Sequence, residues 1–231
     1  MYRWIENVID KEYEIEKVIK RKKDYTIMLM TNKNNGKRVI VRKYVGDCVA
    51  YKALTMIKHR NLPIVYEAIS NGEKSIVIEE YIEGITVGEI LQTGHYIEKG
   101  VERVINQLVD VLDVLHSNNI VHRDVKPENI MVNNKGIVKL IDFNISRICN
   151  STNEKDTRIL GTNGFAAPEQ YGIAESDPRT DIYALGILIN IMLTGEHPAK
   201  KMCDGKWKSI VNKCTRINPD ERFQSVKNIL K

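Results

Sequence analysis

"HRDVKPENI", residues 122–130, crowds His122, Arg123, Asp124, Lys126, Glu128 and Asn129 between two apolar runs, "NIVH" before it and "NIMVN" after it. A solvated loop accounts for the polarity but not for strand-like apolar segments on both sides. Polar side chains held between buried segments mark a site. Asn129 stands five positions after Asp124, and Asp142 closes the apolar run "IVKLIDFN". That run can fold back as a hairpin against "NIMVN" across the turn "NKG", bringing Asp124, Asn129 and Asp142 to one mouth. Two carboxylates and an amide oxygen suit Mg²⁺ bridging phosphates, with one carboxylate spare for a hydroxyl proton.

The rest of the chain sets the frame. Its 231 residues suit one large domain or two small ones, and 42% apolar residues can build a core. The net charge of +5 is spread along the chain among balancing Asp and Glu, so it does not call for nucleic acid. Cys48, Cys149, Cys203 and Cys214 form no CxxC pair. The charged N-terminus is unlike a signal peptide. The longest apolar run, "YALGILINIMLTG", falls short of the roughly 20 residues of a membrane span. These features lead us to expect a cytoplasmic protein without a membrane span.

Two kinds of pattern divide the chain. "YTIMLMT" (25–31) and "KRVIVRKY" (37–44) flank the turn "NKNNG", and "PIVYEAI" and "KSIVIEEY" flank "SNGE". These read as hairpins of an antiparallel sheet. One helix is expected between them, from Asp47 as N-cap to Lys58. Later, Val101, Val104, Ile105, Leu108, Val111, Leu112 and Leu115 form a helical stripe within 99–118. A buried helix is expected over 180–194 and a last one near "SVKNIL". The reading is α+β: a small sheet-rich lobe with one helix, then a larger helical lobe, with a ligand cleft at their junction.

The motifs resemble those of the eukaryotic-type (Hanks-type) serine/threonine protein kinases, in a compact bacterial form. "HRDVKPEN" is similar to the catalytic loop, "DFN" stands where the family has Asp-Phe-Gly, and "GTNGFAAPEQ" is similar to the end of the activation segment. The resemblance implies a single bilobal kinase domain over 1–231, with an N-lobe of about 1–80, a hinge of about 80–84 and a C-lobe of about 85–231. It implies ATP and Mg²⁺ as cofactors and a protein substrate with a Ser or Thr acceptor.

Residue by residue, the resemblance makes Asp124 the acceptor of the substrate hydroxyl proton and Lys126 the partner of the transferring phosphate. Asn129 and Asp142 would hold Mg²⁺. Glu80 and Ile82 would offer backbone groups to the adenine, with Met131 also contacting the nucleotide. Glu169 would pair with Arg222, Asp181 would cap the catalytic loop (its bland alternative being a helix N-cap), and Thr162 would line the acceptor pocket. Arg123 precedes the catalytic Asp, as in kinases ordered by a phosphate on the activation loop, and Thr157 is the favoured phosphosite.

Departures from the pattern matter too. "VIKRKKDYTIMLM" spans the first hairpin without a glycine, so its amides cannot wrap phosphates closely. Asn144 replaces the last glycine of the Mg²⁺ motif, a change that Asn's tolerance of left-handed angles makes mild. The family's strand lysine is best matched by Lys43, with Arg42 competing if the register slips by one. No glutamate lies on the following helix to pair with it. Glu79 falls at the gatekeeper position, where an unpaired carboxylate is costly; Lys43 is its expected partner, the alternatives being solvent or a basic residue of the helix. The short segment after "TGEHPAKK" reduces the docking surface and leaves specificity to a regulatory partner. The missing glycines and helix glutamate make a pseudokinase scaffold the alternative to an active enzyme.

Overall fold

Runs of β-branched residues in the first third of the chain build a five-stranded antiparallel sheet. The computed structural model describes residues 1–149, 161–172 and 175–230. The chain divides into two units, Met1–Glu83 and Gly84–Lys231. The first holds α1 (Tyr2–Glu12), β1 (Tyr13–Lys22), β2 (Tyr25–Asn32), β3 (Arg38–Val45), α2 (Val49–Leu54), β4 (Val65–Ser70) and β5 (Lys74–Glu80). Its sheet order is β1-β2-β3-β5-β4.

The sheet buries both faces of its central strands, which is why β2, β3 and β5 read as nearly continuous apolar runs. On one face Met28, Met30, Val39, Val41, Ile76 and Ile78 pack with Ile5 and Ile9 of α1. Ile5 and Ile9 stand one turn apart, so a helix presents both to the sheet. Burying a side chain such as Ile9 contributes about 1.5–3 kcal/mol. The unit therefore has two helices rather than the expected one; α1 signals itself through only two isoleucines.

The other helix is also shorter than expected. Thr55 donates its hydroxyl to the Lys52 carbonyl at 2.7 Å. The amides of Met56 and Ile57 then reach back three residues, to Ala53 and Leu54. The turn tightens and α2 stops at Leu54 instead of reaching Lys58. Asp47 does not cap it: Cys48 holds that position, while the Asp47 carboxylate accepts from the adjacent Cys48 amide and from Lys52.

The second unit begins with β6 (Gly84–Thr86) and α3 (Val87–Leu91), whose entry is fixed by a reciprocal Thr86–Glu89 capping box. α4 (Glu98–Ser117) buries the predicted stripe. After it come β7 (Ile120–Val121), β8 (Ile130–Asn133), β9 (Val138–Leu140) and β10 (Arg147–Ile148). The expected hairpin of β8 with β9 forms in antiparallel register. α5 (Pro178–Thr194) is capped by Asp177 and buried on all sides, as its continuous apolar sequence requires. α6 (Lys206–Cys214) packs on it where Gly186 leaves no room for a side chain beside Cys214. The segment "SVKNIL" ends the chain as a 3₁₀ turn, Val226–Leu230, not an α-helix.

Candidate active site

The loop between β7 and β8 carries the polar run, and its backbone is held from a distance. The Asp181 carboxylate accepts the amides of His122 (2.9 Å) and Arg123 (2.8 Å), together with the His116 ring at 2.9 Å. Asp181 is therefore an anchor of this loop, while the N-cap of α5 is Asp177. Burial would raise the Asp181 carboxyl; the hydrogen bonds from His116 and from the Arg123 amide outweigh it and hold the group below the usual range.

Arg123 takes a left-handed backbone, φ 70°, uncommon for a side-chain-bearing residue and sustained only where neighbours impose it. Asp181 fixes its amide and the Gln170 side chain donates to its carbonyl at 2.9 Å. The buried His122 ring is pushed below its usual range by burial and so is neutral. One tautomer satisfies both of its contacts: Nε2–H donates to Ile141 O (3.1 Å) and Nδ1 accepts from the Asp124 amide (3.3 Å).

Around Asp124 the side chains interlock. Asn129 Nδ2 donates to the Asp124 carboxylate and to its carbonyl, each at 2.8 Å. Thr162 donates its hydroxyl to Oδ1 at 2.7 Å, and Lys126 Nζ lies 2.7 Å from Oδ2 and 2.6 Å from the Thr162 oxygen. Burial would raise the Asp124 carboxyl, but the bonds from Lys126, Thr162 and Asn129 hold it below the usual range. The result is an ionised acceptor oriented by three donors, able to receive a hydroxyl hydrogen bond.

Asp142 follows β9 and is tied to the same loop through the Ile141 amide, which donates to the Asn129 carbonyl at 2.9 Å. Its backbone is also left-handed, φ 70°. The expectation put that conformation at Asn144; it falls at Asp142, and Asn144 instead donates its side-chain amide to Asp142 Oδ1 at 2.6 Å. Phe143 packs edge-on against His122, with ring centroids 4.8 Å apart. Met131 sits half-buried on β8.

Glu169 and Arg222 form a buried bidentate pair at 2.7 and 2.8 Å, with Thr180 also donating to Glu169. Arg222 further donates to the carbonyls of Arg179, Arg216 and Ile217. Thr157 lies outside the described residues.

The first unit corrects one expectation. Glu79 is buried and its carboxylate is taken by Arg42, Nε to Oε1 2.6 Å, not by Lys43. Arg42 also reaches the Tyr25 hydroxyl at 2.8 Å. The cause is strand register. Glu79 pairs with Ile40 across β3 and β5, so Ile40 and Arg42 share its face. Lys43 lies on the opposite face, continuing the row of Val39 and Val41. Glu80 is bound to Ile64 through both its amide and its carboxylate, and Ile82 is buried.

Because removing one partner strands the other, Arg42→Met and Glu79→Met should each lower the urea midpoint. The double variant should be little worse than either, a coupling of about 1–3 kcal/mol. Additive losses would contradict the pairing.

Sequence reasoning missed His116 and Gln170. His116 stands one turn after Leu112 at the edge of α4's apolar stripe, where it reads as one more flanking polar residue, and Gln170 is a neutral residue whose role depends on a chain reversal.

The family model described as "Protein kinase domain" matches residues 16–230. Serine/threonine-protein kinase PknL of Mycobacterium tuberculosis is 34% identical over 170 residues, 70% of this chain and 43% of that protein. Serine/threonine-protein kinase PrkC of Bacillus subtilis is 33% identical over 149 residues, covering 64% of this chain and 23% of its own length. Serine/threonine-protein kinase PknB of Mycolicibacterium smegmatis is 33% identical over 150 residues, 62% of this chain and 24% of that protein. The chain thus spans less than half the length of each of these relatives.

Proposed function

Because the chain belongs to the protein kinase domain family, we propose that it transfers the γ-phosphate of ATP to Ser or Thr hydroxyls of protein substrates. The observation that carries this reading is the interlocked set of Asp124, Lys126, Asn129 and Thr162. Asp124 would receive the substrate hydroxyl. Since its carboxyl is held below the usual range, it acts more by orienting the nucleophile than by stripping its proton early, which suits a loose phosphoryl-transfer transition state. Lys126 would exchange its bond to Thr162 for one to the transferring phosphate. The similar proteins named as serine/threonine kinases support the acceptor class.

The donor set fits magnesium. Asn129 and Asp142 supply one amide oxygen and one carboxylate, and the described residues include no cluster of three or more His, Cys, Asp or Glu arranged to hold a metal. Mg²⁺ is commonly held by one or two carboxylates plus phosphate oxygens and water. When bound, the ion supplies positive charge against the phosphates.

The domain reading is a single kinase domain over 1–231 with its hinge at about 80–84, where Glu80 and Ile82 would meet the adenine. With Arg42 facing Glu79, Arg42 rather than Lys43 takes the strand-cation role. Thr157 would carry an activating phosphate recognised by Arg123, and a regulatory partner would add specificity. No described helix is long and apolar enough to cross a membrane. A cytoplasmic setting is supported by four cysteines that form no disulfide.

The test is transfer of labelled γ-phosphate to an unstructured acceptor protein, with phosphorylated residues read by mass spectrometry; absence of phosphoserine and phosphothreonine would refute the reading. Asp142→Asn should also abolish the Mg²⁺-dependent part of the nucleotide-induced rise in melting temperature. A rise equal to that of wild type would remove Asp142 from the metal site.

A further inference from the structure

The outermost strand of the first unit leaves one edge open. Among the described residues β1 pairs only with β2, and its other edge carries no neighbour. Every residue from Glu14 to Lys22 is exposed, including Ile15 at 53%, Val18 at 40% and Ile19 at 49%. An open edge presenting apolar side chains is a template for pairing, and proteins that avoid this use charge along the edge to repel. Here the charge is segregated instead. Glu14 and Glu16 occupy the first half, with Lys17 next to the centre, and Lys20, Arg21 and Lys22 occupy the second.

We propose that β1 pairs antiparallel with β1 of a second copy about a twofold axis at Val18, extending the sheet across a dimer. Antiparallel pairing sets each acidic end against a basic one, whereas parallel pairing sets like against like. Centred on Val18, the register opposes Glu14 to Lys22 and Glu16 to Lys20 of the second copy, twice over by symmetry.

The alternation of faces supports this register independently. Glu14 and Lys22 lie opposite Thr31 and Tyr25 of β2, which share a face. Ile15, Val18 and Arg21 lie opposite Met30, Met28 and Thr26, which share the other. Glu14 and Lys22, Ile15 and Arg21, and the two Val18 residues, which are opposed in the proposed dimer, therefore project to the same side. Shifting the register by one would oppose Glu14 to Arg21, on opposite faces. The irregular positions Glu16 and Ile19 have no register partner on β2, and Glu16 accepts a hydrogen bond from Thr31. An anionic lipid surface would favour the basic end alone and be repelled by the acidic one, so a second copy is the occupant that satisfies both ends.

Sedimentation velocity at low ionic strength should show a dimer that dissociates toward about 1 M salt, where the screening length is about 3 Å. Glu14→Lys/Glu16→Lys makes both ends of β1 basic, and Lys20→Glu/Lys22→Glu makes both acidic. Each variant alone should associate at least about tenfold more weakly. Mixing them should restore a heterodimer, because every basic end again meets an acidic one. Should either variant fail to fold, Val18→Cys provides a second arm: under mild oxidant it should cross-link to itself faster than Lys22→Cys. A monomeric wild type, charge variants that dimerise like it, a mixture that stays monomeric, or a Val18→Cys variant that does not cross-link would each overturn the proposal. So would a monomer that instead sediments with anionic vesicles.

Discussion

Asp124→Asn is expected to lower the turnover of phosphotransfer by about 10²–10⁴-fold while leaving the fold and the nucleotide-dependent rise in melting temperature intact. Asparagine keeps the size of the side chain and one of its acceptors. That oxygen can still take the bonds from Asn129 and Lys126, and the new amide can donate to the Thr162 oxygen in place of receiving from it. What is lost is the negative charge, and with it the acceptor for the substrate hydroxyl. A variant retaining more than about a tenth of wild-type turnover would remove Asp124 from the chemistry. One that loses activity together with its melting transition would show only that the loop needs the carboxylate.

The second large effect is on stability. Arg222→Ala should cost about 3–5 kcal/mol, the range for breaking a buried ion pair from one side. Among the described residues Glu169 would keep only Thr180 as a donor, in a position 4% exposed. The carbonyls of Arg179, Arg216 and Ile217 would lose theirs as well. For a chain of this length the loss corresponds to a fall in melting temperature of about 6–20 °C. Arg222→Lys should recover part of the charge but not the planar fork, and fall between the two. A melting temperature within about 2 °C of wild type for Arg222→Ala would mean that the pair is not a stabilising contact.

The β8–β9 hairpin that leads to Asp142, and the closeness of Asn129 to Asp124, were legible because the polar run is short and its flanks are apolar strands. Glu169 and Arg222 were legible through motif logic. The partner of Glu79 was not. β3 is buried on both faces, so its apolar letters run on without the alternation that reveals a side, and a one-residue choice between Arg42 and Lys43 depends on the register with β5. Only the observed pairing of Ile40 with Glu79 decides it. The end of α2 was hidden for a different reason: Thr55's hydroxyl competes for a backbone carbonyl, an outcome that helix-forming neighbours such as Met56 and Lys58 conceal. The left-handed angle at Asp142 was masked by Asn144, whose type suits such an angle but whose amide serves Asp142 instead.

The anchoring of the polar loop by Asp181 also bears on when, during synthesis, the site can exist. The contact joins residues 59 positions apart, and the second hold on Arg123, from Gln170, spans 47. A nascent chain that has emerged only as far as Asp142 already carries Asp124, Lys126 and Asn129, yet lacks both groups that impose the left-handed turn at Arg123. Closing so long a loop costs entropy before any contact repays it. The loop geometry on which the proposed chemistry depends is completed only when α5 has formed and brought Asp181 to the loop. Until then the growing chain holds the letters of the site without the site, so competence for chemistry arrives with the latter part of the chain rather than with the motif that encodes it.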